Sequence, residues 1–248
     1  MFSVFRRTKI IFAAATAFLI GIVPATAADG PFSGLYYVSI AGFPVGRVSF
    51  EGTTQGNRYQ LQGFMGSSGF FGLFIGTRYS GAAIGTLRNG VPRPSVFRGR
   101  FEQRGQFAQV DIKYSGNRPV SVERTPQRDP LPSDVPVSKV RGHLDPISAL
   151  YHVFQDRSVG ELCKLDFSIF EGARTARVAM TPAGVPTAGE PVVCNGIYRR
   201  TGGFTPEQLG ERNDFPFQLT YEAGEDGFYE VSDFVATTTF GVARARRR

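Results

Sequence analysis

Runs of β-branched and aromatic residues, cut by turn signals roughly every 8–15 positions, dominate this chain and leave room for only short helices. "LYYVSI" and "VGRVSFEG" are separated by "AGFP". "NRYQLQGFM" alternates, with Tyr59, Leu61 and Met65 on one face and Arg58, Gln60 and Gln62 on the other. "SVFRGRFEQRGQFAQVDIKYSG" predicts a hairpin around Arg104-Gly105. "KLDFSIFEGARTARVAM" predicts another around Glu171-Gly172, with Leu165, Phe167 and Ile169 turned inward. "CNGIYRR", "PFQLTYE" and "GFYEVSDFVATTTFG" supply further strands. With 30 glycines and 16 prolines as punctuation, the pattern predicts a mainly β fold. Its expected form is a curved antiparallel sheet, as an open barrel or sandwich, with one amphipathic helix packed on it.

Two stretches break the strand pattern. Residues 125–136, "TPQRDPLPSDVP", hold four prolines, which exclude both helix and central strand and predict an extended loop. The helix is expected at about 146–157, in "HLDPISALYHVF". Asp145 is placed to cap it by accepting from the backbone N–H of Ser148, and Pro146 at the first helical position loses no hydrogen bond. Ile147, Leu150, Tyr151 and Phe154 follow at i, i+3, i+4, i+7, a stripe that packs on the sheet. Ser148, His152 and Gln155 are then expected on the wetter face, with Gly160 ending the element.

The same segment contains both histidines of the chain, His143 and His152, beside a serine and an aspartate. That composition raises a hydrolase. Asp145, however, is engaged as a cap, Ser148 lacks a G-x-S-x-G nucleophile elbow, and no acid is nominated to orient His152. The segment reads as a capped helix, and the sequence nominates no catalytic residue, cofactor motif or metal-ligand cluster.

Residues 1–27 read as an export signal. Arg6, Arg7 and Lys9 precede an apolar run from Ile10 to Val23, and "PATA" places Ala25 and Ala27 at a small-residue cleavage site, with cutting expected after Ala27. The run is shorter than the ~20 residues of a spanning helix, and no later stretch is apolar enough for one. The expectation is a periplasmic, soluble product with a single β-rich domain over 28–240. Export also predicts that the two cysteines, Cys163 and Cys194, form a disulfide.

The net charge of +7 resides in the two ends. Setting aside the three cations of the leader and the four of "RARRR" leaves a body near neutrality, which argues against a nucleic-acid surface. Residues 241–248 are expected to be a basic, disordered tail.

The glycine-flanked segment 66–76, "GSSGFFGLFIG", has two readings. It is a buried or glycine-kinked strand, or it is an apolar lip in which Phe70, Phe71, Leu73, Phe74 and Ile75 contact a lipid-like ligand. "YYVSIAGFPVGRVSFEG", "DPISALYHVF", "FSIFEGARTARVAM" and "VVCNGIYRRTGGF", in that order, resemble a bacterial exported family called domain of unknown function 3108. The resemblance implies a periplasmic β-rich protein and supplies no reaction, cofactor or catalytic residue. The leading functional expectation is a non-enzymatic binding or envelope-maintenance protein whose partner is a lipid or an envelope protein. The alternatives are a hydrolase of an envelope polymer using Asp166, Glu171 or Asp214, and a structural subunit of an envelope complex.

Overall fold

The computed structural model describes residues 29–67, 76–238 and 241–248. The expected leader and its expected cleavage site lie outside the described residues, as do Phe70, Phe71, Leu73, Phe74 and Ile75 of the apolar segment.

Among the described residues, thirteen strands form one antiparallel sheet. The first seven are successive neighbours: β1 (Gly30–Ile40), β2 (Phe43–Gln55), β3 (Arg58–Ser67), β4 (Thr77–Arg88), β5 (Val91–Gln103), β6 (Gln106–Ser115) and β7 (Arg118–Thr125). Helix α1 (Pro146–Phe154) follows, then β8 (Asp166–Phe170), β9 (Thr175–Pro182) and β10 (Val192–Gly202). A short helix α2 (Pro206–Glu211), β11 (Asp214–Ala223), β12 (Tyr229–Thr238) and β13 (Gly241–Arg247) complete the chain. The spatial order runs from β7 down to β1, then β13 down to β8.

Tight turns set much of this register. Arg104 and Gly105 both have positive φ, 50° and 79°, as do Asn89 and Gly90 at 52° and 72°. Two successive residues in that region make the turn whose twist matches a hairpin, so the predicted β5–β6 hairpin forms where expected.

The sheet does not close, because β7 and β8 are its edges. The proline-rich loop and the residues after it occupy the gap. Gly142 N–H donates to Asn117 O beside β7, while Leu144 N–H donates to Ser168 O and Leu144 O accepts from Phe170 N–H on the edge of β8. One segment therefore touches both edges, which requires the sheet to curl into an open barrel. Leu144 also protects the β8 edge from pairing with another chain.

The curl puts α1 on the inner face. Ile147 and Tyr151 join a core with Tyr59, Leu61, Phe97, Ile112 and Phe170. Leu150, Val153 and Phe154 pack against a second core built on Tyr36, Phe50, Val178, Leu219 and Tyr221. Each such side chain contributes ~1.5–3 kcal/mol when removed from water, so the helix ties the two halves of the sheet together.

Three expectations need correction. The helix ends at Phe154, with Gln155 as its C-cap, rather than near residue 157. Its expected wet face does not exist: Ser148 is 0 %, His152 6 % and Gln155 7 % exposed, because a curled sheet surrounds the helix instead of supporting one side of it. The basic end is not a disordered tail. Residues 241–247 form β13, which pairs with β1 on one side and β12 on the other and joins the two halves of the sheet. Its burial alternates, and its arginines are matched by acids on β12: Asp233 takes Arg244 and Arg246, and Glu230 takes Arg247.

Candidate functional site

The N-terminus of α1 is held by a buried polar chain. Asp145 Oδ1 accepts from the N–H groups of Ile147 and Ser148, both at 2.9 Å. Its Oδ2 accepts from Ser148 Oγ at 2.6 Å, and that hydroxyl lies 2.7 Å from the Tyr59 hydroxyl. Burial pushes the Asp145 carboxyl up to about 6, against the pull of these hydrogen bonds. The cap is as the sequence predicts, with Ile147 as an additional donor.

His152, one turn on, belongs to a different set of contacts. Its Nδ1 is 3.1 Å from Gln155 Nε2, its carbonyl accepts from Arg157, and its ring meets the Phe167 ring edge-on at 5.1 Å. Burial, reinforced by the Arg157 charge, lowers its pKa to about 4. Ser148 is committed to Asp145 and Tyr59, so serine, histidine and aspartate do not form a relay.

The carboxylates considered for hydrolysis are also dispersed. Asp166 on β8 is bonded to Arg177 of β9, and Asp214 on β11 to Arg199 of β10. These guanidiniums hold both carboxyls below their ordinary range. β9 and β10 stand between the two aspartates, which puts them ~14 Å apart at normal strand spacing.

Glu171 lines a cavity. Between α1 and strands β8–β10 lies a half-open apolar space of about 300 Å³, at the lower end of the range for small-molecule pockets. Leu150 and Phe154 come from the helix, Phe167 and Ile169 from β8, Val178 from β9 and Tyr198 from β10. Glu171 and Arg174, in the β8–β9 turn, also line it and form an ion pair at 3.8 Å. Burial raises the Glu171 pKa, while Arg174 and Arg124 oppose the shift. Phe167, Glu171 and Arg174 all fall in the "FSIFEGAR" stretch, which the sequence marks as a hairpin with Glu171 as a candidate hydrolase carboxylate, and not as a cavity wall. Its strand alternation carries no sign that both sides of the turn would face a gap beneath the helix.

The disulfide joins Cys163 to Cys194. It attaches the connection after α1 to β10, the same strand that contributes Tyr198. Among the described residues there is no cluster of His, Cys, Asp and Glu suited to a metal ion, and no helix is long and apolar enough to cross a membrane.

Fold and site together define, among the described residues, an open β-barrel with an internal helix and an apolar cavity against it. No protein-family model and no curated protein matches the chain, so the resemblance to domain of unknown function 3108 is not confirmed. A solved structure titled as a β-barrel-like protein of domain of unknown function DUF1849, from Brucella abortus, is similar over 88 % of this chain and 95 % of its own. The identity is 9 % and the TM-score 0.45, a likeness that says nothing about function.

Proposed function

We propose that this protein is a non-enzymatic carrier of an apolar ligand that works outside the cytoplasm. The observation that carries the reading is the cavity beneath α1, walled by Leu150, Phe154, Phe167, Ile169, Val178 and Tyr198. A small apolar space with few polar groups is suited to holding an alkyl chain. The export reading is supported by the basic, apolar and small-residue succession of residues 6–27 and by the pairing of both cysteines.

The chain has no tryptophan, so Tyr198→Trp places a unique fluorophore in the cavity wall. Titration with decanol or decanoate should give a saturable blue shift, and adding Leu150→Asp should abolish it by placing a charge among apolar walls. A fluorophore that responds to neither probe, in protein that melts like the parent, overturns the proposal.

A further inference from the structure

We infer that the ligand is a single alkyl chain with an anionic headgroup, and that Arg174 receives that headgroup at the edge of the cavity. The inference rests on the carrier reading and adds the ligand's charge.

Two features limit the shape of the ligand. The cavity is only about 300 Å³, which suits one chain better than the two of a bilayer lipid. Its apolar walls leave a charged headgroup without a partner at depth, so the polar end must remain at the rim where Glu171 and Arg174 stand.

The charges near the rim favour an anion. Arg200 shares the Phe204 ring with Arg174, at 4.8 Å and 5.2 Å from its centroid, Arg124 reaches the same β8–β9 turn through Gly172 O, and Glu171 is the acid of that turn. Asp166 and Asp214 are already matched by Arg177 and Arg199. Two of the three local guanidiniums are tied to backbone. Arg124 donates to Gly172 O, and Arg200 Nη1 donates to the carbonyls of Gln208 and Arg212.

Arg174 differs. It meets Glu171 only at 3.8 Å, its side chain is 45 % exposed, and its guanidinium lies over the Phe204 ring at 5.2 Å from the centroid. A guanidinium presents five N–H donors in a planar fork. Stacking on Phe204 restrains that fork at the rim while leaving donors for a carboxylate or a phosphate monoester.

Calorimetric titration of the full chain with decanoate, decyl phosphate and decanol tests this. At least one anion should bind about tenfold or more tightly than decanol, and whichever binds better tells a carboxylate from a phosphate headgroup. Arg174→Gln should remove the anion preference by weakening the anions far more than decanol. Glu171→Gln should tighten the anions, an effect that a merely structural ion pair would not produce. Decanol binding as tightly as both anions, or a preference that survives Arg174→Gln, overturns the inference while the carrier reading stands. Failure of all three probes to bind overturns both.

Discussion

Gly81 of β4 lies directly opposite Gly63 of β3, and the Ile147 side chain of α1 sits where their side chains would be. A Cβ on Gly81 would stand 2.7 Å from Ile147 Cγ1, and one on Gly63 2.9 Å from Ile147 Cδ1. Gly99 of β5, opposite Gly81, extends the row. Three strands thus omit side chains along one line, and the helix start approaches the sheet there. Gly81→Val should destabilise by at least the ~1–3 kcal/mol of an overpacked core. Ile147→Ala, costly alone, should recover part of that loss in the double variant. Urea melts of the four proteins measure the coupling, and strictly additive effects would refute this account of the row.

Residues 241–248 provide a second test. A strand with partners on both sides differs from a solvated tail, so ending the chain after Phe240 should abolish cooperative thermal unfolding followed by circular dichroism. Arg244→Ser, by contrast, should leave the thermal midpoint almost unchanged, because Arg244 is exposed and solvent screens its pair with Asp233. A truncated protein that melts like the full chain would restore the tail reading.

The signal for that strand was present in the sequence. In "GVARARR", Ala243 and Ala245 alternate with Arg244 and Arg246, a period of two that predicts a strand with one small-residue face. The charge run masked it, since the acids that match it, Glu230 and Asp233, precede it by about a strand length. The capped helix was legible because Asp145, Pro146 and the apolar stripe are local signals. Its burial was not, because periodicity identifies the side that packs first and cannot show that a curled sheet closes over the other. The glycine row and the cavity depend on register between strands, so Gly63, Gly81 and Gly99 are unremarkable until pairing aligns them.

The disulfide spans a separation of 31 residues and joins Cys163 to the fully buried Cys194. Its removal should cost ~2–5 kcal/mol. Reducing the wild type should lower its thermal midpoint toward that of Cys163→Ser, while reductant should leave the variant unchanged. Equal midpoints for oxidised wild type and variant would remove the bridge as a source of stability.

Asp145 and His152 make opposite demands on pH. An aspartate whose pKa rises from ~3.9 unfolded to about 6 folded contributes most stability below pH ~3.9, and that contribution is lost as pH rises through 6. A histidine lowered from ~6.5 unfolded to about 4 folded contributes fully above pH ~6.5 and loses that contribution as pH falls through 4. Each effect is on the order of 2–3 kcal/mol, and between pH 4 and 6 they largely offset one another in the wild type. Single variants should separate them when unfolding free energies are compared with the wild type across that range. The deficit of His152→Gln relative to wild type should grow from pH 4 to 6.5, because the variant lacks the histidine's rising contribution. That of Asp145→Asn should shrink from pH 4 to 6, because the wild type is losing what the variant never had. Asparagine still caps a helix, so the comparison isolates the charge. Difference curves with the same slope for both variants would show that these two side chains do not titrate against each other in the folded protein.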